Sequence, residues 1–207
     1  MIRYSMGRVL GAWAASFLSA AAPASAAEFD FKDPKGVNSM SFLLDSQVEP
    51  IRGFTAGISG KVSFDPDKPE AATGSIAVAA DTIQTPNKRM NEVLHSGDWL
   101  DVGRHPEVTF EFKRVENAKR EGDQFSMTVV GDFTCKGVTK ELSIPVGATL
   151  LRDRLGDRLN GVSGDLLVLR TRFTIQRSDF DIKRDYGPVV VAEEIQISAQ
   201  IVGAHRK

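Results

Sequence analysis

The sequence predicts an all-β domain of about eight antiparallel strands and one short helix, behind an N-terminal segment that is removed. Three observations predict it. Apolar and polar residues alternate with a period of two through most of the chain after residue 26, one stretch breaks that period with helical spacing, and the first residues carry the marks of a secretory signal in order.

The signal is read first because it is not part of the fold. Arg3 and Arg8 supply a positive start, residues 9–22 are almost unbroken apolar or small, and Ala24-Ser25-Ala26 gives the small-x-small pattern of a cleavage site. The apolar run is shorter than the ~20 residues a membrane-spanning helix needs. Residues 1–26 are therefore read as a signal peptide and residues 27–207 as the mature domain, exported to the periplasm, with no transmembrane segment after cleavage.

In the mature chain the alternation is clearest near the C-terminus, where Ile195, Ile197, Ala199 and Ile201 interleave with Glu194, Gln196, Ser198 and Gln200. Val108, Phe110 and Phe112 follow the same rule, as do Leu142, Ile144 and Val146, and Leu169, Thr171, Phe173 and Ile175. Side chains point to opposite faces at successive strand positions, so each set is one dry face of an antiparallel strand. Further strands are read at about residues 37–45, 57–65, 73–82 and 124–135. Asp65-Pro66-Asp67, Glu121-Gly122-Asp123 and Lys136-Gly137 supply turn chemistry between them. Residues 153–164 are polar and glycine-bearing and read as a loop.

The helix is read over residues 86–100, where Met90, Val93 and Leu94 have helical spacing, Pro86 suits a first turn and Gly97 a terminus. Strands with one apolar face must bury that face by stacking two sheets or by closing one sheet on itself. Periodicity alone does not choose between sandwich and barrel.

A formal net charge of −1, with the charges dispersed, argues against a nucleic-acid partner. Cys135 is the only cysteine, so no intramolecular disulfide forms. The motifs that carry chemistry fail on inspection. Gly60-Lys61 resembles the end of a phosphate loop, but Thr55 replaces the first glycine and Val62 the hydroxyl residue. Gly161-Val162-Ser163-Gly164-Asp165 lacks the closing glycine of a nucleophile elbow. His95, His105, Cys135 and His205, read as part of the terminal tail, do not have metal-ligand spacing. Lys136 beside Cys135 would lower the thiol pKa if both were exposed, but the cysteine reads more simply as a small strand-end hydrophobe. Arg170, Arg172 and Arg177 are read as the wet face of one strand. The chain is read as a non-enzyme without cofactor or metal.

Four blocks, in order, resemble the YceI-like family of lipocalin-like periplasmic isoprenoid-binding proteins. They are Gly60-Lys61-Val62-Ser63-Phe64-Asp65; residues 93–102 followed by His105-Pro106-Glu107-Val108-Thr109-Phe110; residues 131–140, Gly-Asp-Phe-Thr-Cys-Lys-Gly-Val-Thr-Lys; and Phe173 with Arg177-Ser178-Asp179-Phe180. The chain departs from the family pattern at Ser41-Phe42-Leu43-Leu44-Asp45, where many members carry a histidine, and at Phe133, Cys135 and Asp181.

The resemblance implies a closed barrel of about eight strands with a long apolar lipid in its lumen, of polyisoprenoid or isoprenoid-quinone type. It implies that Phe42, Leu44, Met90, Leu94, Trp99, Phe110, Phe112, Phe125, Met127, Phe133, Phe173 and Ile175 line that lumen, with Arg177 and Tyr186 at a polar head group. A homodimer is compatible with it. The alternative reading is an envelope or stress-related interaction module whose barrel is filled by its own side chains.

Overall fold

The computed structural model describes residues 26–207, so the signal segment lies outside the described residues apart from Ala26. Ten strands follow: β1 (Ala27–Asp30), β2 (Ser39–Leu44), β3 (Ile51–Thr55), β4 (Ile58–Phe64), β5 (Thr73–Ala79), β6 (Glu107–Glu121), β7 (Gln124–Cys135), β8 (Val138–Leu151), β9 (Gly164–Gln176) and β10 (Glu194–Arg206). Two helices, α1 (Lys88–His95) and α2 (Leu155–Arg158), join them.

All ten strands belong to one antiparallel sheet, ordered β1-β4-β5-β6-β7-β8-β9-β10-β2-β3, and a further β1–β10 pairing closes it. The ten segments make the eight staves of a closed barrel. The reason is that β1 and β2 are two halves of one stave, and β3 and β4 two halves of the next. Ala27 pairs with Phe64 and Asp30 with Lys61, while Met40 pairs with Thr55 and Leu44 with Ile51. Both halves of the first stave also lie against β10, at Asp30↔Ala204 and at Ser39↔Gln200 through Leu43↔Gln196.

Residues 31–38 bulge out between the two halves, and polar side chains carry the missing pairing. Asn38, 2% exposed, donates from Nδ2 to the Val202 carbonyl at 3.0 Å and accepts the Val202 N–H at 2.9 Å, as a strand neighbour would. Asp33 organises the bulge. Its carboxylate accepts the N–H groups of Lys35, Val37 and Asn38 at 3.1, 2.6 and 3.0 Å and pairs with Arg158 Nη2 at 2.6 Å.

Burial pushes the Asp33 pKa up, but the Arg158 guanidinium and the backbone donors outweigh it and hold the group at about 2. Its unfolded value is 3.8. A depressed folded pKa gives stability that is present above the unfolded value and is lost as pH falls through the folded one. Asp33→Asn is therefore expected to cost about 2 kcal/mol at pH 7. The difference from wild type should shrink between pH 4 and pH 2 in urea titrations. A difference independent of pH would show that the charge plays no part.

The dry faces read from the sequence all point into the barrel. The Lys136-Gly137 turn has φ of 49° and 74°, the double left-handed geometry of a two-residue hairpin, and joins Cys135 to Val138. At Gly60 (φ 132°) β4 and β5 approach so closely that a Cβ would lie 2.2 Å from the Ser75 carbonyl oxygen, which explains the glycine that opens the first block.

Several boundaries differ from the expectation. β1 and β3 went unread because they have only four and five residues, and Gly53 stands at an inward position of β3 while Phe54 faces out, 46% exposed. The strand expected over residues 73–82 stops at Ala79 and gives way to a 3-10 turn, Ala80–Thr82. The helix is shorter than residues 86–100. Asn87 caps it by accepting the N–H groups of Arg89 and Met90, so Pro86 precedes the cap, and Ser96 rather than Gly97 ends it. Residues 153–164 are not wholly loop, because Leu155, fully buried, nucleates α2. Nor is His205 in a free tail. It lies in β10, within 3.0 Å of the Glu28 carbonyl through Nδ1 and tilted 5.7 Å from the Phe29 ring.

Candidate binding site in the barrel lumen

Inward residues of all eight staves enclose a cavity of about 170 Å³. Phe42, Phe110, Phe112, Met127, Phe133 and Phe173 line it, together with Met40, Ile76, Val78, Val146, Leu169 and Ala199. No charged residue lines it. Of its hydroxyl groups, Thr55 Oγ1 lies 2.6 Å from Thr82 Oγ1, and Thr171 Oγ1 donates to the Pro145 carbonyl at 2.6 Å. Such a surface has few hydrogen bonds to offer a ligand and recognises apolar area.

The remaining expected lumen residues sit elsewhere. Leu44, Leu94, Trp99 and Ile175 belong to an apolar cluster with Phe180, Ile182, Val191 and Ile195 that closes the α1 end of the barrel. Phe133 bridges cavity and cluster, its ring edge-on to Phe173 at 6.1 Å and to Phe180 at 5.3 Å. Phe125 packs edge-on against Phe64 at 5.0 Å, covered by Arg120. Met90, Leu94, Trp99 and Tyr186 line a second hollow of about 360 Å³ beneath α1, together with Glu49, Arg89, Asp98 and Lys183. Lys183 Nζ is held there between Asp98 (3.1 Å) and Asp185 (3.0 Å), above the Tyr186 ring.

Arg177 departs furthest from its expected role at a head group. The strand ends at Gln176, so the arginine read on one face with Arg170 and Arg172 enters a 3-10 turn and is 1% exposed. Its guanidinium donates to the carbonyls of Ala192, Ile182, Lys183, Tyr186 and Val191, and Glu193 lies 3.2 Å away. All five N–H groups are committed to holding residues 181–193, leaving none for a ligand. The signal for this role was the Arg-x-Asp-Phe block itself, whose Phe180 is buried beside it.

His95 Nε2 lies 2.7 Å from the Ile83 carbonyl, and the His105 ring packs over Gly137. Among the described residues no group of three or more His, Cys, Asp or Glu is placed to hold a metal. Burial pushes the Cys135 thiol up to about 12, and the Lys136 charge offsets this only slightly. The Lys136 ammonium instead donates to the Asp98 and Asp181 carbonyls. Iodoacetamide at pH 8 is expected to leave the folded protein unmodified and to label it fully in denaturant. Labelling of the folded protein at the rate of a free thiol would contradict this burial.

The fold and the site define a closed antiparallel barrel with an uncharged, apolar interior. The comparisons make the assignment specific. The YceI-like domain profile matches residues 28–203, and the chain belongs to that family. It is 32% identical to a UPF0312 protein of Pseudomonas paraeruginosa over 68% of each chain. It is 27% identical to protein YceI of Escherichia coli O157:H7 over 76% of this chain and 75% of that one. Two solved structures share the fold. Burkholderia cenocepacia BcnA has a TM-score of 0.63 at 23% identity, covering 80% of this chain and 95% of that one. A polyisoprenoid binding domain from Saccharophagus degradans has a TM-score of 0.59 at 10% identity, covering 87% and 99%. No helix among the described residues is long and apolar enough to cross a membrane.

Proposed function

We propose that this protein binds and sequesters a long apolar lipid, of polyisoprenoid or isoprenoid-quinone type, with its chain in the barrel lumen, and that it does so in the periplasm. The observation that carries the reading is the lumen, an apolar space lined by every stave with no charged side chain. The binding described for the Saccharophagus relative agrees with it. Removing each methylene of a lipid chain from water is worth ~0.8 kcal/mol, so sequestration needs no catalyst and no cofactor. The hollow beneath α1, with Trp99 and Tyr186 in its lining, is where a polar head would lie.

Cleavage after Ala26 leaves β1 complete, since that strand begins at Ala27. N-terminal sequencing of the exported protein should therefore read from Ala27. A protein beginning at Met1 in the membrane pellet would refute the export reading.

The alternative, an interaction module with a filled barrel, is favoured by one observation. A cavity of about 170 Å³ is close to the engineered cavity of about 150 Å³ that holds only a benzene. A longer chain requires Phe42, Phe110, Phe112 and Phe173 to rotate out of its path. Titration with retinol, an isoprenoid alcohol that fluoresces more strongly in apolar surroundings, separates the two readings. The carrier reading expects saturable one-to-one binding that Phe112→Asp abolishes, because an unpaired charge in this lumen is strongly disfavoured. No binding by wild type would favour the interaction module.

A further inference from the structure

We infer that residues 80–85, with α1 behind them, are the portal through which an apolar chain enters and leaves the lumen. The inference rests on the carrier reading above. It starts from how each part of the barrel wall is held. Between β4 and β10, taken around the barrel, most adjacent staves are joined along their length by backbone ladder: six pairs for β4–β5, five for β5–β6, ten with two bulges for β6–β7, twelve for β7–β8 and thirteen for β9–β10. Opening the wall along such a seam breaks many hydrogen bonds at once.

Two stretches of wall are not laddered, and the first borders β3. β5 ends at Ala79, but β3 runs on past the end of β4, so its outer edge has no full strand beside it. Residues 80–85 fill the gap. A single isolated bridge ties them to β3: Phe54 N–H donates to the Gln84 carbonyl at 2.8 Å, and Gln84 N–H to the Phe54 carbonyl at 2.9 Å. The Thr55–Thr82 hydroxyl pair adds a third contact at 2.6 Å. At the root Ala79 N–H donates to Gly57 and Ala80 N–H to Pro106, both at 2.8 Å, forming a hinge line that outward movement of residues 81–85 would leave intact.

The inner surface of this stretch is the lumen itself. Ile83 lines the cavity, facing Thr55 and Phe42 of the strands across the seam. Residues 83–85 are tied to α1, with His95 Nε2 2.7 Å from the Ile83 carbonyl and Asn91 bonded to the Thr85 N–H, hydroxyl and carbonyl, so residues 81–85 swing outward together with α1, which removes Ile83 from the wall and exposes the cavity. The outer surface carries exposed polar residues, Asp81 and Gln84 among them, and two exposed apolar side chains that a chain could touch first, Phe54 at 46% and Val93 of α1 at 48%.

The other unladdered stretch lies between β8 and β9. The β8–β9 ladder stops at Val146↔Thr171, next to Pro145, which has no N–H to continue it. Behind that gap the Phe133 ring packs edge-on against both Phe173 and Phe180, so it is plugged by aromatic packing. None of the large apolar residues flanking it is exposed.

Phe54 and Gln84 exchange both backbone hydrogen bonds, which sets their Cα atoms about 5.5 Å apart, within the range a disulfide spans. Phe54→Cys with Gln84→Cys should therefore staple the portal shut when oxidised, Cys135 being buried and unreactive. Retinol uptake in stopped flow is expected to slow at least tenfold on oxidation and to recover with reductant. The same staple across a laddered seam, Thr174→Cys with Gln196→Cys, should leave the rate unchanged. As an independent arm, Thr82→Val removes the hydroxyl pair and should speed uptake and release together several-fold, with the ratio of the two rates little changed. Uptake unaffected by oxidation of the portal staple, or unaltered rates in Thr82→Val, would overturn the portal. Wild type that takes up no retinol would instead refute the carrier reading.

Discussion

Arg177→Met is expected to destabilise the folded protein by about 3–5 kcal/mol, the range for removing one partner of a buried charged network. Five backbone carbonyls of residues 182–192 lose their donor at once, and Glu193 loses the cation beside it. Those carbonyls are held inside a turn where the remaining chain offers no substitute. Burial raises the Glu193 pKa, but its hydrogen bonds to Ser178 and the Arg177 charge lower it overall, so the pair is coupled in the folded state. For a domain of this size the loss is a fall in melting temperature of roughly 6–20 °C. Arg177→Lys should recover only a minor part of it, because an ammonium has three donors on a flexible stem and no planar fork. Chemical denaturation of the three proteins checks this. A loss below 1 kcal/mol in Arg177→Met would mean that water satisfies the turn, and Arg177 would again be available to a ligand.

The second large effect separates lumen from solid core. Phe125→Ala should cost about 3–5 kcal/mol in delipidated protein, because it opens a cavity in a packed region. The ring is 4% exposed, edge-on to Phe64 and covered by Arg120. Phe112→Ala should cost less, about 1–2 kcal/mol, because one side of its ring already faces open space and fewer contacts are lost. The order reverses in ligand affinity. Phe112→Ala should weaken retinol binding several-fold, whereas Phe125→Ala should leave the affinity of the folded fraction almost unchanged. Equal stability losses with no change in either affinity would mean that Phe112 is ordinary core.

These two positions also show what could be read before the fold was known. Phe112 and Phe125 look alike in the sequence, each an aromatic residue on the dry face of an alternating strand. Alternation reports which face is dry, not how far along the barrel axis a residue lies, and that coordinate decides between lumen, end plug and solid core. Leu44 and Ile175, on alternating strands too, belong to the end cluster for the same reason. Even so, the alternation at Leu169, Ile197, Ala199 and Ile201 put further lining residues on the correct face. Arg177 was misplaced because it was grouped with Arg170 and Arg172 by residue type, although its odd offset from them does not share their face and the strand ends at Gln176, just before it. β3 stayed hidden because what holds it is pairing with β2 across a turn, a tertiary contact, while its own residues place glycine inward and phenylalanine outward. The Lys136-Gly137 hairpin was legible because turn chemistry is local, and the helix because Met90, Val93 and Leu94 keep helical spacing, although its Asn87 cap was missed.

Mass spectrometry of lipid extracted from the native protein tests the central claim most directly, with Ala199→Phe as the paired variant. Ala199 is buried in β10, opposite Met40 and Thr171, and lines the cavity of about 170 Å³. A ring placed there fills the lumen with protein instead of ligand. The carrier account predicts about one long-chain isoprenoid lipid per wild-type chain after purification without added lipid. It predicts none in Ala199→Phe, which should still fold into the same barrel by circular dichroism. Wild type free of any apolar chain, or the same lipid content in both proteins, would contradict it.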